Sequence, residues 1–154
     1  MVTREQWMKD IGVEWPLIKL KGPNTAPYRI ADDLLFITGV GPSGDDGELA
    51  FRGKIGAELS AEEGYNAARL AGLNALRLIK DALGGLERVD YVVKSMALVS
   101  AAPGYQDLFK AADGFSDVLT EALGDRGLHA RNAVGASVLD GNSPVICDVI
   151  VKIL

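Results

Sequence analysis

Apolar residues recur at three- and four-residue steps through Tyr65, Ala68, Gly72, Leu76, Ile79 and Leu83, which predicts an amphipathic helix over about 61–83. Ser60 and Glu63 stand at capping-box spacing before it, and Gly84-Gly85 supplies the stop. Gly64, Ala68 and Gly72 are small, which predicts a face that approaches a sheet closely. A second stripe, Tyr105, Leu108, Phe109, Ala112, Phe115, Leu119 and Leu123, predicts a helix over about 105–123, ended by Gly124. Residues 3–11 form a short helix by the same reading, with Thr3 and Gln6 at capping-box spacing.

Strand patterns fill the remainder. A brief strand is expected at 17–20 and a loop at 21–27. A hairpin follows over 28–30 and 34–38, then a glycine-rich connection from Gly39 to Gly47, then a strand near 49–52. Residues 89–101 are β-branched and apolar in both registers, as expected of a strand buried on both faces. Two further strands, 131–139 and 145–154, are joined by the tight connection Asp140-Gly-Asn-Ser-Pro144. The order predicts an α+β fold, with two long helices on one face of a mixed sheet. The second sheet face is left without a helix to cover it, so sheets of neighbouring subunits are expected to pack together.

Composition narrows the class. The 154 residues suit a single domain, 1–154, with residues 1–27 as an N-terminal extension. A formal charge of −5 repels phosphate backbones, and the cations are scattered singly, so nucleic-acid binding is disfavoured. The first residues lack the apolar run of a signal peptide and no stretch is long enough to span a bilayer. A cytoplasmic protein away from membranes is the expectation. One cysteine and one histidine leave neither a disulfide nor the usual zinc ligand set.

Several residues are candidates for chemistry. Gly39-Val-Gly-Pro-Ser-Gly44 matches a dinucleotide fingerprint in letters alone. Pro42 and Asp45-Asp-Gly47 lead into a strand rather than the required helix. Gly39 keeps a narrower role, letting a ligand approach backbone N–H groups. Cys147 sits mid-strand and reads as an inert packed thiol. Arg131 stands at a strand entrance two residues after His129, and a guanidinium there can hold a carboxylate by two parallel hydrogen bonds. A surface ion pair is the alternative. His129 either exchanges protons or satisfies backbone groups. Asp148 interrupts the apolar run 145–151, which places it either at a solvent-facing position or in a pocket shared with a guanidinium.

Together these segments resemble the reactive intermediate deaminase family, RidA or YjgF-like, formerly described as L-PSP endoribonucleases and translation inhibitors. The chorismate-mutase-like branch fits best. The resemblance runs from about Tyr28 onward and is carried by Gly127-Leu-His-Ala-Arg-Asn-Ala-Val-Gly135, Leu35-Phe-Ile-Thr-Gly39-Val-Gly-Pro42 and the segment 64–76. It implies a homotrimer whose three sheets form a central barrel with clefts between subunits. The implied substrate is a 2-imino acid or its enamine, hydrolysed to a 2-keto acid and ammonia with no cofactor. Arg131 matches the arginine that holds the substrate carboxylate, Tyr28 a cleft tyrosine, Thr38 the serine of the S-G pair, and Gly39 the adjacent backbone donor.

The departures are equally specific. The water-activating glutamate of the family falls on Ile146, and Ser116 stands where many deaminases carry asparagine. Asp148 shares a strand face with Ile146, roughly 7 Å further on, and either orients water for a longer ligand or matches the family's structural acid. Imine hydrolysis, non-catalytic carboxylate binding, and ribonuclease or translation-inhibitor activity are the three readings carried forward.

Overall fold

The computed structural model describes residues 22–154; the helix expected at 3–11 and the strand at 17–20 lie outside the described residues. Hairpin strands β1 (Tyr28–Ala31) and β2 (Leu34–Val40) turn at Asp32, whose φ is 53°. They are followed by helix α1 (Ala61–Leu83), strand β3 (Val89–Ser100), helix α2 (Leu108–Leu123), strand β4 (Ala130–Ala136) and strand β5 (Val145–Ile153). The sheet order is β1-β2-β5-β3-β4, with only β3 and β4 parallel, joined through α2. This is the expected α+β architecture, a mixed five-stranded sheet with two long helices.

Side chains explain where each element sits. The capping box closes in full, Ser60 Oγ accepting from Glu63 N and Glu63 accepting from Ser60 N, and Gly84 ends α1 at φ 79°. Along β5 the odd positions Val145, Cys147, Val149, Val151 and Ile153 are buried beneath the helices. α1 packs over β2 and β5, whereas α2 covers β3 and β4. Phe115, Leu76, Ile79 and Leu119 fill the layer between them.

The helices press on each other as closely as on the sheet. A Cβ placed on Gly72 would lie 3.1 Å from both Phe115 O and Val118 Cβ, so this glycine admits α2. Gly64 instead accommodates Ile55. Tyr65 donates to Asp117 across the pair at 2.6 Å, and Arg69 holds Glu121 through two 2.8 Å bonds. Of the small positions read as a sheet contact, Gly72 thus serves as a helix contact.

Three further boundaries differ from expectation. No strand forms at 49–52; Gly44 N bonds Glu48 O and Ala50 N bonds Pro42 O, closing a compact loop that carries an isolated β-bridge, Ser43–Leu49, within itself. α2 begins at Leu108, because Tyr105 N bonds Ala102 O in a turn. Phe109 accordingly lies outside the core and is 64% exposed. β4 stops at Ala136 rather than running to 139. β3 is buried on the helix side, while Met96 and Leu98 on its other face are only half-covered in the single chain.

Candidate functional site

Phe109, Asp113 and Ser116 lie at i, i+4 and i+7 on α2, one stripe along the edge of the helix that overlooks β4. Arg131, second residue of β4, is paired in register with Ser95 of β3 and rises toward that stripe. Its Nη1 donates to Asp113 Oδ1 at 2.9 Å and to Ser116 Oγ at 3.0 Å, and its guanidinium carbon lies 5.4 Å from the Phe109 ring centre. Nε and Nη2 have no partner among the described residues, and neither is sealed from solvent. One edge of the fork is therefore pinned while the other can still donate two parallel bonds.

His129 extends the network. Its Nδ1 lies 2.6 Å from Gly127 O, a carbonyl that can only accept, so Nδ1 carries the proton. Nε2 then accepts from Ser116 Oγ at 3.1 Å, and Ser116 in turn accepts from Arg131. A directional chain, Arg131 to Ser116 to His129 to Gly127 O, orients the guanidinium. Burial lowers the His129 pKa, opposed by the bond to Gly127 and assisted by the charge on Arg131.

That shift has a pH consequence. A proton on Nε2 would break the bond that Nε2 accepts from Ser116 Oγ, forcing that hydroxyl to turn its hydrogen elsewhere, and would set two cations side by side. The unfolded chain, whose histidine titrates near 6.5, takes up that proton more readily. Stability associated with His129 is therefore full above about pH 6.5 and is lost as pH falls through the lower folded value. Urea midpoints at pH 7.5 and 5.5 should differ more for the wild type than for His129→Gln. Equal differences would refute the coupling.

Other sequence-derived residues gather elsewhere. Thr38 and Gly39, at the end of β2, line a cavity of about 300 Å³ together with Ile146, Glu48, Arg52 and Asp140. A Cβ on Gly39 would meet Ile146 Cγ2 at 2.9 Å, so only glycine lets that apolar side chain lie against the backbone. Asn74, fully buried on α1, donates to Gly41 O at 2.9 Å and Ser43 O at 3.0 Å and so holds the loop that walls the cavity. Arg77 braces the same loop through Asn74 at 3.1 Å and Asp45 at 3.2 Å. Tyr28 joins neither group: its hydroxyl donates to Asp81 at 3.0 Å, which raises its pKa.

Asp148 does not share a pocket with Arg131 in the chain. Asp148 pairs with Met96 and Arg131 with Ser95, adjacent β3 residues whose side chains leave opposite faces of the sheet. Asp148 is exposed on the face without helices. Cys147 is fully enclosed, and burial pushes its thiol up to about 12, consistent with a packing role. Among the described residues no three His, Cys, Asp or Glu side chains converge as a metal site, and no helix is long and apolar enough to cross a membrane.

Asp113, Glu48, Arg52 and Asn74 were missed in the sequence. Asp113 was within reach, because its spacing from Phe109 and Ser116 puts all three on one helical edge. Glu48 and Arg52 carried no periodic signal, since their approach to Asp140 depends on loop closure.

The fold and the clustered arginine define an α+β protein of the chorismate-mutase-like type. A family model described as "YjgF/chorismate_mutase-like, putative endoribonuclease" matches residues 5–153, and the chain belongs to that family. Protein TCP17 of Trypanosoma cruzi is 31% identical over 147 residues, covering 95% of this chain and 91% of that one. The crystal structure of Atu1372 from Agrobacterium tumefaciens, a protein of unknown function, is 31% identical with a TM-score of 0.90, covering 99% of this chain and 94% of that one. The crystal structure of a "putative endoribonuclease" from Shewanella oneidensis is also 31% identical, with a TM-score of 0.91, covering 98% of this chain and 99% of that one.

Proposed function

We propose that the protein is a cytoplasmic homotrimer that binds a small carboxylate metabolite, a 2-imino acid or its enamine, in clefts between subunits and hydrolyses it to a 2-keto acid and ammonia. The observation that carries this reading is Arg131, held through Nη1 and left with an Nε and Nη2 edge that has no partner among the described residues. Such an edge matches a planar carboxylate. The shape of the sheet supports the trimer. Arg131 sits on the outermost strand β4, whereas Thr38 and Gly39 sit on β2, three strands away. Two copies can complete what one cannot. The bare face carries Phe36, Leu98, Val134, Ile146 and Ile150, which a neighbouring sheet would cover. In this assembly Ser116 and His129 orient Arg131, while Thr38 and the Gly39 backbone meet the rest of the ligand.

Ile146 favours a second reading, a trimer that binds carboxylates without turning them over, because an isoleucine cannot activate water. Ribonuclease activity is attached to relatives by name, but the net charge of −5 opposes phosphate binding. Sedimentation should give a trimer, calorimetry should detect 2-ketobutyrate, and semicarbazone formation from enzymatically generated imino acids should fall when the protein is added. A stable monomer that binds no keto acid would overturn the proposal. Binding without hydrolysis would select the second reading.

A further inference from the structure

The cavity beside Ile146 holds carboxylates, although position 146 itself carries none. Its lining includes Glu48 and Asp140, with Arg52 as the only cation among the described residues. Arg52 is already engaged: Nη1 donates to Gly141 O at 2.8 Å and Nη2 meets Glu48 Oε2 at 3.2 Å, bridging the two loops across the mouth. The cavity wall is therefore acidic on balance and poorly suited to a second carboxylate. It suits the nitrogen-bearing end of an imino acid whose carboxylate is gripped by Arg131 of a neighbouring copy.

Glu48 is the better placed acid of the two. Its backbone is fixed on both sides, with Glu48 N donating to Asp46 Oδ1 at 2.9 Å and Glu48 O accepting from Gly44 N at 2.9 Å. Arg52 occupies Oε2, and Oε1 has no partner among the described residues. Asp140 has no side-chain hydrogen bond among the described residues to orient it. One oxygen of Glu48 is thus held while the other is open to water, a geometry in which the carboxylate can orient a water by accepting its proton.

We propose that Glu48 orients and deprotonates the attacking water, with Arg52 as its positioning residue, in place of the carboxylate that Ile146 cannot supply. The inference rests on the trimer-cleft reading above. The water oxygen forms a bond to the iminium carbon, the C=N pair moves to nitrogen, and the water proton passes to Oε1. The carboxyl returns that proton to nitrogen, making it a leaving ammonium group. The C–N bond then breaks, the hydroxyl oxygen closes the C=O bond, and the hydroxyl proton leaves through Glu48 to the departing ammonia.

The test uses the full chain with imino acids generated in solution by an amino-acid oxidase, followed by semicarbazide trapping, and 2-ketobutyrate as the binding probe. Glu48→Gln should lower kcat at least roughly 100-fold and keep the Kd for 2-ketobutyrate within about threefold. Glu48→Asp should recover part of the rate. Wild-type turnover by Glu48→Gln, or a loss confined to Asp140→Asn, would overturn the assignment. A wild type that binds 2-ketobutyrate but hydrolyses no imine would overturn it alone, whereas one that binds nothing would overturn the cleft reading beneath it.

Discussion

Arg131→Ala should weaken 2-ketobutyrate binding by two orders of magnitude while leaving the chain folded. Two charge-assisted bonds from Nε and Nη2 to a carboxylate, partly shielded from water, are worth about 3 kcal/mol, a factor of roughly 150 in Kd. The structural cost is smaller. Arg131 is 17% exposed but its acidic partner Asp113 is 53% exposed, so Asp113 returns to water without penalty when the guanidinium is removed. Loss of the contact to the already exposed Phe109 ring adds little. Function and stability are therefore separable at this position.

The conservative variant sharpens the point. Arg131→Lys keeps the charge but cannot pin one nitrogen to Asp113 and Ser116 while presenting two parallel donors to a ligand. Calorimetry should show it recovering less than about tenfold of the lost affinity. Full recovery would mean that only charge matters at the site. Unchanged binding by Arg131→Ala would remove the guanidinium from the site altogether.

What could be read beforehand divides along a physical line. The helices were legible because their signals are local: Ser60 and Glu63 bond each other across one turn, and Gly84 leaves α1 in a left-handed conformation. Period two along β5 correctly set Cys147 apart from Ile146 and Asp148. It could not say which face α2 would leave open beside Arg131, since that depends on β4 pairing in parallel with β3 at the edge of the sheet. The segment 49–52 has strand composition, yet the surrounding turns, Gly47 at φ 81° and Gly53 at φ 120°, bend it into a cavity wall. Asn74 gave no signal of its own in the sequence. Its role emerges only when the loop 41–45 folds back over α1.

The same line separates Gly114 from the glycines noticed in the sequence, and it predicts the largest effect on stability. Helix propensity alone favours alanine over glycine in mid-helix by about 1 kcal/mol. At Gly114 a Cβ would lie 2.1 Å from Tyr65 O and 3.1 Å from Arg69 N, both backbone atoms of α1. No rotamer change relieves such a contact; the helices must separate. Separation loosens the Phe115 and Val118 packing and strains the Tyr65–Asp117 and Arg69–Glu121 links beside it. Overpacking against backbone costs about 3 kcal/mol or more and outweighs the propensity gain. Gly114→Ala should therefore lower Tm by roughly 6–10 °C for a chain of this size, while Lys110→Ala, on the exposed side of the same helix, moves it by less than about 2 °C. Because α2 also carries Asp113 and Ser116, the variant should displace the Arg131 fork, so affinity for 2-ketobutyrate should fall even at temperatures where the protein remains folded. A Gly114→Ala protein as stable as the wild type would show that α1 and α2 do not meet at this distance.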